Sequence, residues 1–203
     1  MTGLGETLLI ATHNAGKLEE FRAILGPLGV TCRSNADFDL PEPEETEESF
    51  LGNARIKARA AVSATGLPAL ADDSGIEIDA LGGKPGVRTA DWAETPNGRD
   101  FTVAMRRAHD ALLASGAPEP WRARFRSTLV LLWPDGSEQV FEGQVDGQVV
   151  WPPRGATGHG YDPMFLPDGE TLTFAEMSLT EKNALSHRAR ALADLRTWLE
   201  RDT

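Results

Sequence analysis

Cysteine is almost missing from this chain: Cys32 is its only one, so no intrachain disulfide can form and a reducing, cytoplasmic location is expected. No stretch approaches the roughly 20 apolar residues that a membrane span requires. The first residues form neither a basic leader nor a long apolar segment, so no membrane partner is expected. Positive charge is in deficit as well. Twenty Lys and Arg stand against 31 Asp and Glu, a formal net charge of −11, which argues against a nucleic-acid partner, whose binding face would be basic. An anionic ligand must then be met by a local cluster of Lys and Arg, helped by a metal ion. Internal repeats and low-complexity linkers are absent too; the Pro/Glu-rich piece over 41–48 is too short to separate domains. With 203 residues, 40% of them hydrophobic, residues 1–203 suit one globular α/β domain carrying at most a small extra lobe.

The most informative stretch is residues 67–92, LPALADDSGIEIDALGGKPGVRTADW. An apolar run meets Asp72 and Asp73, then Ser74-Gly75, then Ile76, Ile78 and Ala80 on one face, a pattern that predicts strand, tight acidic turn, strand. Successive strand side chains point to opposite faces, so one aspartate is expected to brace the turn while the other faces a site. The glycines of Gly82–Gly86 allow positive φ or a close approach to a ligand. A plain surface hairpin with an Asx-type turn explains the same letters.

Along the chain, an apolar strand over 8–12 runs through His13-Asn14-Ala15-Gly16-Lys17 into a helix with Leu18, Phe21, Ile24 and Leu25 on one side, stopped by Gly26-Pro27. Strand, short polar turn, helix start aims backbone N–H groups and a positive dipole end at an anion. Lys17 opposes that dipole unless something negative accompanies it. Asn14 as a simple N-cap and Lys17 as a solvated lysine fit equally well. An acidic run, Glu42 to Glu48, leads into a helix over 49–65 ended by Gly66, with Ser49, Asn53 and Lys57 in one polar stripe. A metal or phosphate site needs such a stripe, but a solvated helix face shows it too.

A core-facing helix is predicted from Phe101 to about Gly116, with His109 exposed on its polar side. A strand over 121–133 follows, its alternate Arg122, Arg124 and Arg126 expected on a sheet edge or a subunit contact. Asp135-Gly136 and Asp146-Gly147 predict two successive hairpin turns. A glycine-rich loop over 152–162 precedes a short strand over 164–166. The final helix, 178–200, begins with Lys182, His187 and Arg188, whose spacing does not fall on one stripe of a regular helix. If they serve one ligand, the first turn must be distorted or they approach from different sides.

Six ordered segments then carry a resemblance across essentially the whole chain: Thr12-His-Asn-Ala-Gly-Lys17; Glu45-Thr46 through Asn53-Ala-Arg-Ile-Lys57-Ala; Ala71-Asp-Asp-Ser-Gly75; Gly82-Gly-Lys-Pro-Gly86; Gly160-Tyr-Asp-Pro163; and Glu181-Lys-Asn to Ser186-His-Arg188. In order and spacing they resemble the inosine/xanthosine triphosphate pyrophosphatases, also called dITP/XTP diphosphatases. His159 stands where that family usually has Phe, Asp91-Trp92 where Arg-Tyr is common, and the Thr12-His13 opening also varies.

The resemblance implies a homodimeric, Mg²⁺-dependent enzyme that cleaves deaminated purine nucleoside triphosphates to monophosphate and pyrophosphate. It implies an α/β fold with an elongated mixed β-sheet, flanking helices and two lobes with the nucleotide cleft between them. By the same resemblance Thr12, His13, Asn14, Ala15, Gly16 and Lys17 hold the triphosphate and Lys57 adds charge. Asp73 is the general base and a metal ligand, Ser74 touches substrate, and Glu44 or Glu45 completes the Mg²⁺ shell. His159, Gly160, Tyr161, Asp162, Lys182, His187 and Arg188 surround the base.

Overall fold

Side-chain alternation along the strands decides where the functional residues fall. In the computed structural model, which describes residues 6–201, the elements run β1 (Thr7–Ile10), α1 (Ala15–Leu25), β2 (Thr31–Ser34), α2 (Phe50–Thr65), β3 (Ala69–Ile78), β4 (Glu94–Thr95), β5 (Gly98–Arg99), α3 (Phe101–Ser115), β6 (Trp121–Leu132), β7 (Glu138–Val149), β8 (Phe165–Pro167), α4 (Leu179–Leu185) and α5 (His187–Arg201). The predicted mixed sheet with flanking helices is present. Its strand order is β2-β1-β3-β6-β7-β8, with β1 parallel to β2 and β3 and β7 antiparallel to β8; β4 and β5 form a separate small hairpin.

The chain divides into two compact units, each built from several segments. The first holds residues up to 73, 127–143 and from 190 on; the second holds 74–126 and 144–189. In the first unit, Leu8, Ile10, Leu70, Leu129 and Leu131 pack with Phe21 and Leu25 of α1 and with Leu192, Leu195 and Leu199 of α5. The alternate residues Leu9, Ala69, Ala71, Val130 and Leu132 pack with Ala54, Ala58 and Ala61 of α2. That period of two carries on to the aspartates: Asp72 follows Leu70 toward α1, and Asp73 follows Ala71 toward α2. In the second unit Ile76, Ile78, Met105, Leu112, Phe125, Tyr161, Phe165 and Phe174 share one core. Each such side chain contributes about 1.5–3 kcal/mol through burial.

Several expectations need correction. Residues 69–78 form one uninterrupted strand, not two strands about a turn. Asp, Ser and Gly are turn formers because they satisfy their own backbone, but here the carboxylates find partners on other elements. β7 likewise passes through Asp146-Gly147 without turning. A Cβ at Gly147 would collide with the Leu166 carbonyl of the paired β8, so that glycine permits a close strand approach.

β6 lies between β3 and β7, so its arginines are not on an edge. Arg122 pairs with Asp168 and Arg124 with Asp79, each at 2.6 Å, and Arg126 with Glu77 at 3.9 Å. His109 is not simply exposed; its ring stacks on Trp151 at 4.1 Å between centroids. The short strand is 165–167, preceded by a 3₁₀ turn over 162–164. Finally, the last helix is broken at Ser186, whose backbone is extended (φ −63°, ψ 155°). Its hydroxyl accepts from Ala189 N at 3.1 Å and so caps α5.

Candidate active site

Where β1 runs out, the chain enters α1 through an ordered cap. Asn14 Oδ1 accepts from Lys17 N at 3.1 Å, and Thr12 Oγ1 accepts from Asn14 N at 3.1 Å. His13 donates through Nε2 to the Leu40 carbonyl at 2.8 Å. Ala15 and Gly16 are exposed in the first turn, where backbone N–H groups lack intrahelical acceptors. Lys17 Nζ meets Asp72 Oδ2 at 2.6 Å, supplying the negative partner that a lysine at a helix start requires.

On the opposite side of β3, Lys57 of α2 binds two carboxylates, Asp73 Oδ1 at 2.9 Å and Glu45 Oε1 at 3.2 Å. Asn53 and Lys57 are buried, so that part of the polar stripe faces inward, while Ser49 at the N-cap is exposed. Asn53 Oδ1 accepts from Glu47 N at 3.0 Å and so ties the acidic run to the helix. Glu44 is exposed. Asp73 is 7% exposed, and its second oxygen, Oδ2, is buried without a hydrogen-bond partner among the described residues.

Burial pushes the Asp73 carboxyl up to about 6, against the opposing pull of Lys57, with Glu45 and Asp72 adding repulsion. For Lys57, burial disfavours the charge, yet the Asp73 and Glu45 carboxylates hold its pKa above the ordinary lysine value. Three carboxylates against two ammonium groups leave this region short of positive charge. Among the described residues no three His, Cys, Asp or Glu side chains are grouped to hold a metal unaided. Mg²⁺ makes a smaller demand, one or two carboxylates completed by water and phosphate oxygens. The hard oxygens of Asp73 and Glu45, with Oδ2 unengaged, fit it.

The second unit gathers another set. Asp162 Oδ2 accepts from His159 N at 2.6 Å and from Lys182 Nζ at 2.5 Å. Gly158 (φ +79°) lies so close that a Cβ there would strike the same oxygen. Lys182 also lies over the Phe174 ring, 5.7 Å from its centroid. Tyr161 is buried; its ring meets Phe101 edge-on and its hydroxyl donates to the Thr89 carbonyl at 3.4 Å, so it anchors the loop. Burial raises its phenol pKa. Beyond the break at Ser186, His187 stacks on Phe125 at 4.9 Å and Arg188 donates to Ser74 Oγ at 3.2 Å. Gly160 takes φ +67° beside Phe101, and the His159 side chain is exposed.

The model of the Ham1 family matches residues 8–198. The chain belongs to the Ham1 family. It is 67% identical over 188 residues to a dITP/XTP pyrophosphatase of Ruegeria pomeroyi, spanning 93% of this chain and 92% of that protein. A dITP/XTP pyrophosphatase of Rhizobium meliloti is 54% identical, with 93% of each chain covered. Among solved structures, a HAM1 protein from Coxiella burnetii superposes with a TM-score of 0.90 at 36% identity, covering 96% of this chain and 98% of that one.

Two polar residues of this Ham1 chain escaped the sequence reading. Ser127 donates to Asp72 Oδ1 at 2.8 Å, and Thr89 accepts from Ile76 N at 3.0 Å through its hydroxyl. The first had a signal: Ser127-Thr128 interrupts the half of β6 that is otherwise apolar.

Proposed function

We propose that the protein hydrolyses deaminated purine nucleoside triphosphates (ITP, dITP and XTP) to the monophosphate and pyrophosphate. The observation that carries this reading is the buried Asp73 carboxylate, with one oxygen on Lys57 and the other unengaged, in a Ham1 chain whose relatives are dITP/XTP pyrophosphatases. We also propose that the enzyme uses Mg²⁺, works as a homodimer and is cytoplasmic; the single cysteine accords with that compartment.

Asp73 and Glu45 would hold the Mg²⁺, which when bound polarises phosphoryl oxygens and acidifies water. Asp73 takes the proton of the attacking water. Its pKa near 6 leaves it ionised at neutral pH yet a stronger base than a solvated aspartate. The water oxygen bonds to the α-phosphorus, the bridge to the β-phosphate breaks, and the pair of electrons leaves on pyrophosphate. Lys57 and Lys17 offset the charge that gathers on the phosphate oxygens, and the backbone N–H groups of Ala15 and Gly16 add donors.

In the second unit, Lys182 and Arg188 offer hydrogen-bond donors for the carbonyl of hypoxanthine or xanthine. Arginine has no acceptor for the amino group of adenine. A mispaired amino group costs about 1–3 kcal/mol for each buried partner lost. Two such losses give roughly 10²-fold to 10⁴-fold preference for ITP over ATP. The test is product analysis and kcat/KM across ITP, dITP, XTP, GTP and ATP, with and without chelator. Pyrophosphate release, strong preference for ITP over ATP and loss of activity on chelation are expected. Orthophosphate with a nucleoside diphosphate left behind contradicts the reaction, and equal efficiency for ITP and ATP contradicts the role of Lys182 and Arg188.

A further inference from the structure

We infer that Ser127 and Asp72 are positioning residues that hold the Lys17 ammonium in place for the triphosphate. This rests on the proposed phosphate-binding role of Lys17. A lysine has a long stem with several rotatable bonds, and one in the first turn of a helix is repelled by the dipole, so left alone it swings into water. Here it is tethered. Asp72 Oδ2 takes its Nζ at 2.6 Å, and Asp72 Oδ1 is itself fixed by the Ser127 hydroxyl at 2.8 Å. The order of burial runs with the order of support: Ser127 is 1% exposed, the Asp72 side chain 1% and the Lys17 side chain 23%. The inner two groups are walled in, and only the outermost retains access to a ligand.

Three elements contribute one member each: β6 the serine, β3 the aspartate and α1 the lysine. A hydroxyl on a sheet strand is a rigid anchor, whereas a solvated acid partner would leave Lys17 free to choose among geometries. An ammonium has three donors, so one given to Asp72 does not exhaust its capacity to donate. Ser127 touches no ligand in this arrangement; its effect on phosphate binding passes entirely through Asp72 and Lys17.

That dependence is the test. Binding of inorganic tripolyphosphate is measured by calorimetry for the native protein, Ser127→Ala, Lys17→Ala and the double variant, with unfolding curves for all four. We expect Lys17→Ala to weaken binding by roughly tenfold or more and Ser127→Ala by about threefold to tenfold. The double variant should bind no more weakly than Lys17→Ala alone. Equal factors for Ser127→Ala in the native and Lys17→Ala backgrounds overturn the inference, because a general packing role adds independently. So does native-like binding by folded Ser127→Ala. If Lys17→Ala itself binds tripolyphosphate like the native protein, the phosphate role of Lys17 fails, while pyrophosphate release by the native enzyme still decides the reaction separately. Ser127→Thr, which keeps the hydroxyl, should lie nearer to native than Ser127→Ala in binding.

Discussion

Two aspartate–lysine pairs, one in each unit, are built from the same groups to opposite ends. Asp162 is filled: a single oxygen takes both a backbone N–H and the Lys182 ammonium, and the pair clasps a glycine-rich loop. Asp73 is left partly unfilled: one oxygen meets Lys57 and the other has no hydrogen bond among the described residues, while Glu45 and Asp72 crowd it with like charge. A satisfied buried carboxylate is a brace. An unsatisfied one in an excess of negative charge is a group held ready for a cation or a proton.

The largest effect is expected at Asp73. Asp73→Asn keeps the shape and the contact to Lys57 but removes the proton acceptor, so kcat for ITP should fall by at least ~10²-fold in a folded protein. Turnover close to native would end its assignment as the base.

The next effect is on stability. The folded Asp73 carboxyl titrates near 6 against 3.8 for its ordinary value, so between those pH values the folded chain keeps a proton that the unfolded chain has released. Stability therefore falls as pH rises through that window, the reverse of a salt-bridged carboxylate with a lowered pKa. Urea unfolding of metal-free native protein and Asp73→Asn should show the native chain losing on the order of 2 kcal/mol relative to the variant between pH 4 and pH 7. A difference that is flat, or that grows with pH, contradicts the raised value.

The smallest effect is expected at the filled pair. Asp162→Asn still accepts from His159 N but no longer neutralises Lys182, so KM for ITP should rise roughly threefold to tenfold with kcat within about twofold. A collapse of kcat comparable to that of Asp73→Asn would erase the distinction between brace and base.

Much of the scaffold was legible because its signals are local. Ser49 and Gly66 bound α2, Gly116 ends α3, and Asp135-Gly136 joins β6 to β7, all as the sequence pattern predicts. The acidic centre was harder. Asp72-Asp73-Ser74-Gly75 has the composition of a turn, and distant partners, among them Ser127, 55 residues away from Asp72, and Lys57, 16 away from Asp73, explain why it stays a strand. The inward stripe of α2 was ambiguous for the same reason, since periodicity does not say which side of a helix meets a sheet. Lys182, His187 and Arg188 do not share one stripe of a regular helix, and the helix is indeed broken between them, at Ser186. No proline or glycine marks that break in the sequence.

Neither unit is a contiguous length of chain: the polypeptide passes from one to the other after residues 73, 126, 143 and 189. Two of those passages fall inside the long strands β3 and β6, and a third inside β7. No single cut of the gene can therefore release either half intact, and no single recombination event can exchange one for a homologous half. The first passage lies at the peptide bond between Asp73 and Ser74. A mutation that alters the course of β3 there acts on the last residue of one unit and the first of the other at once.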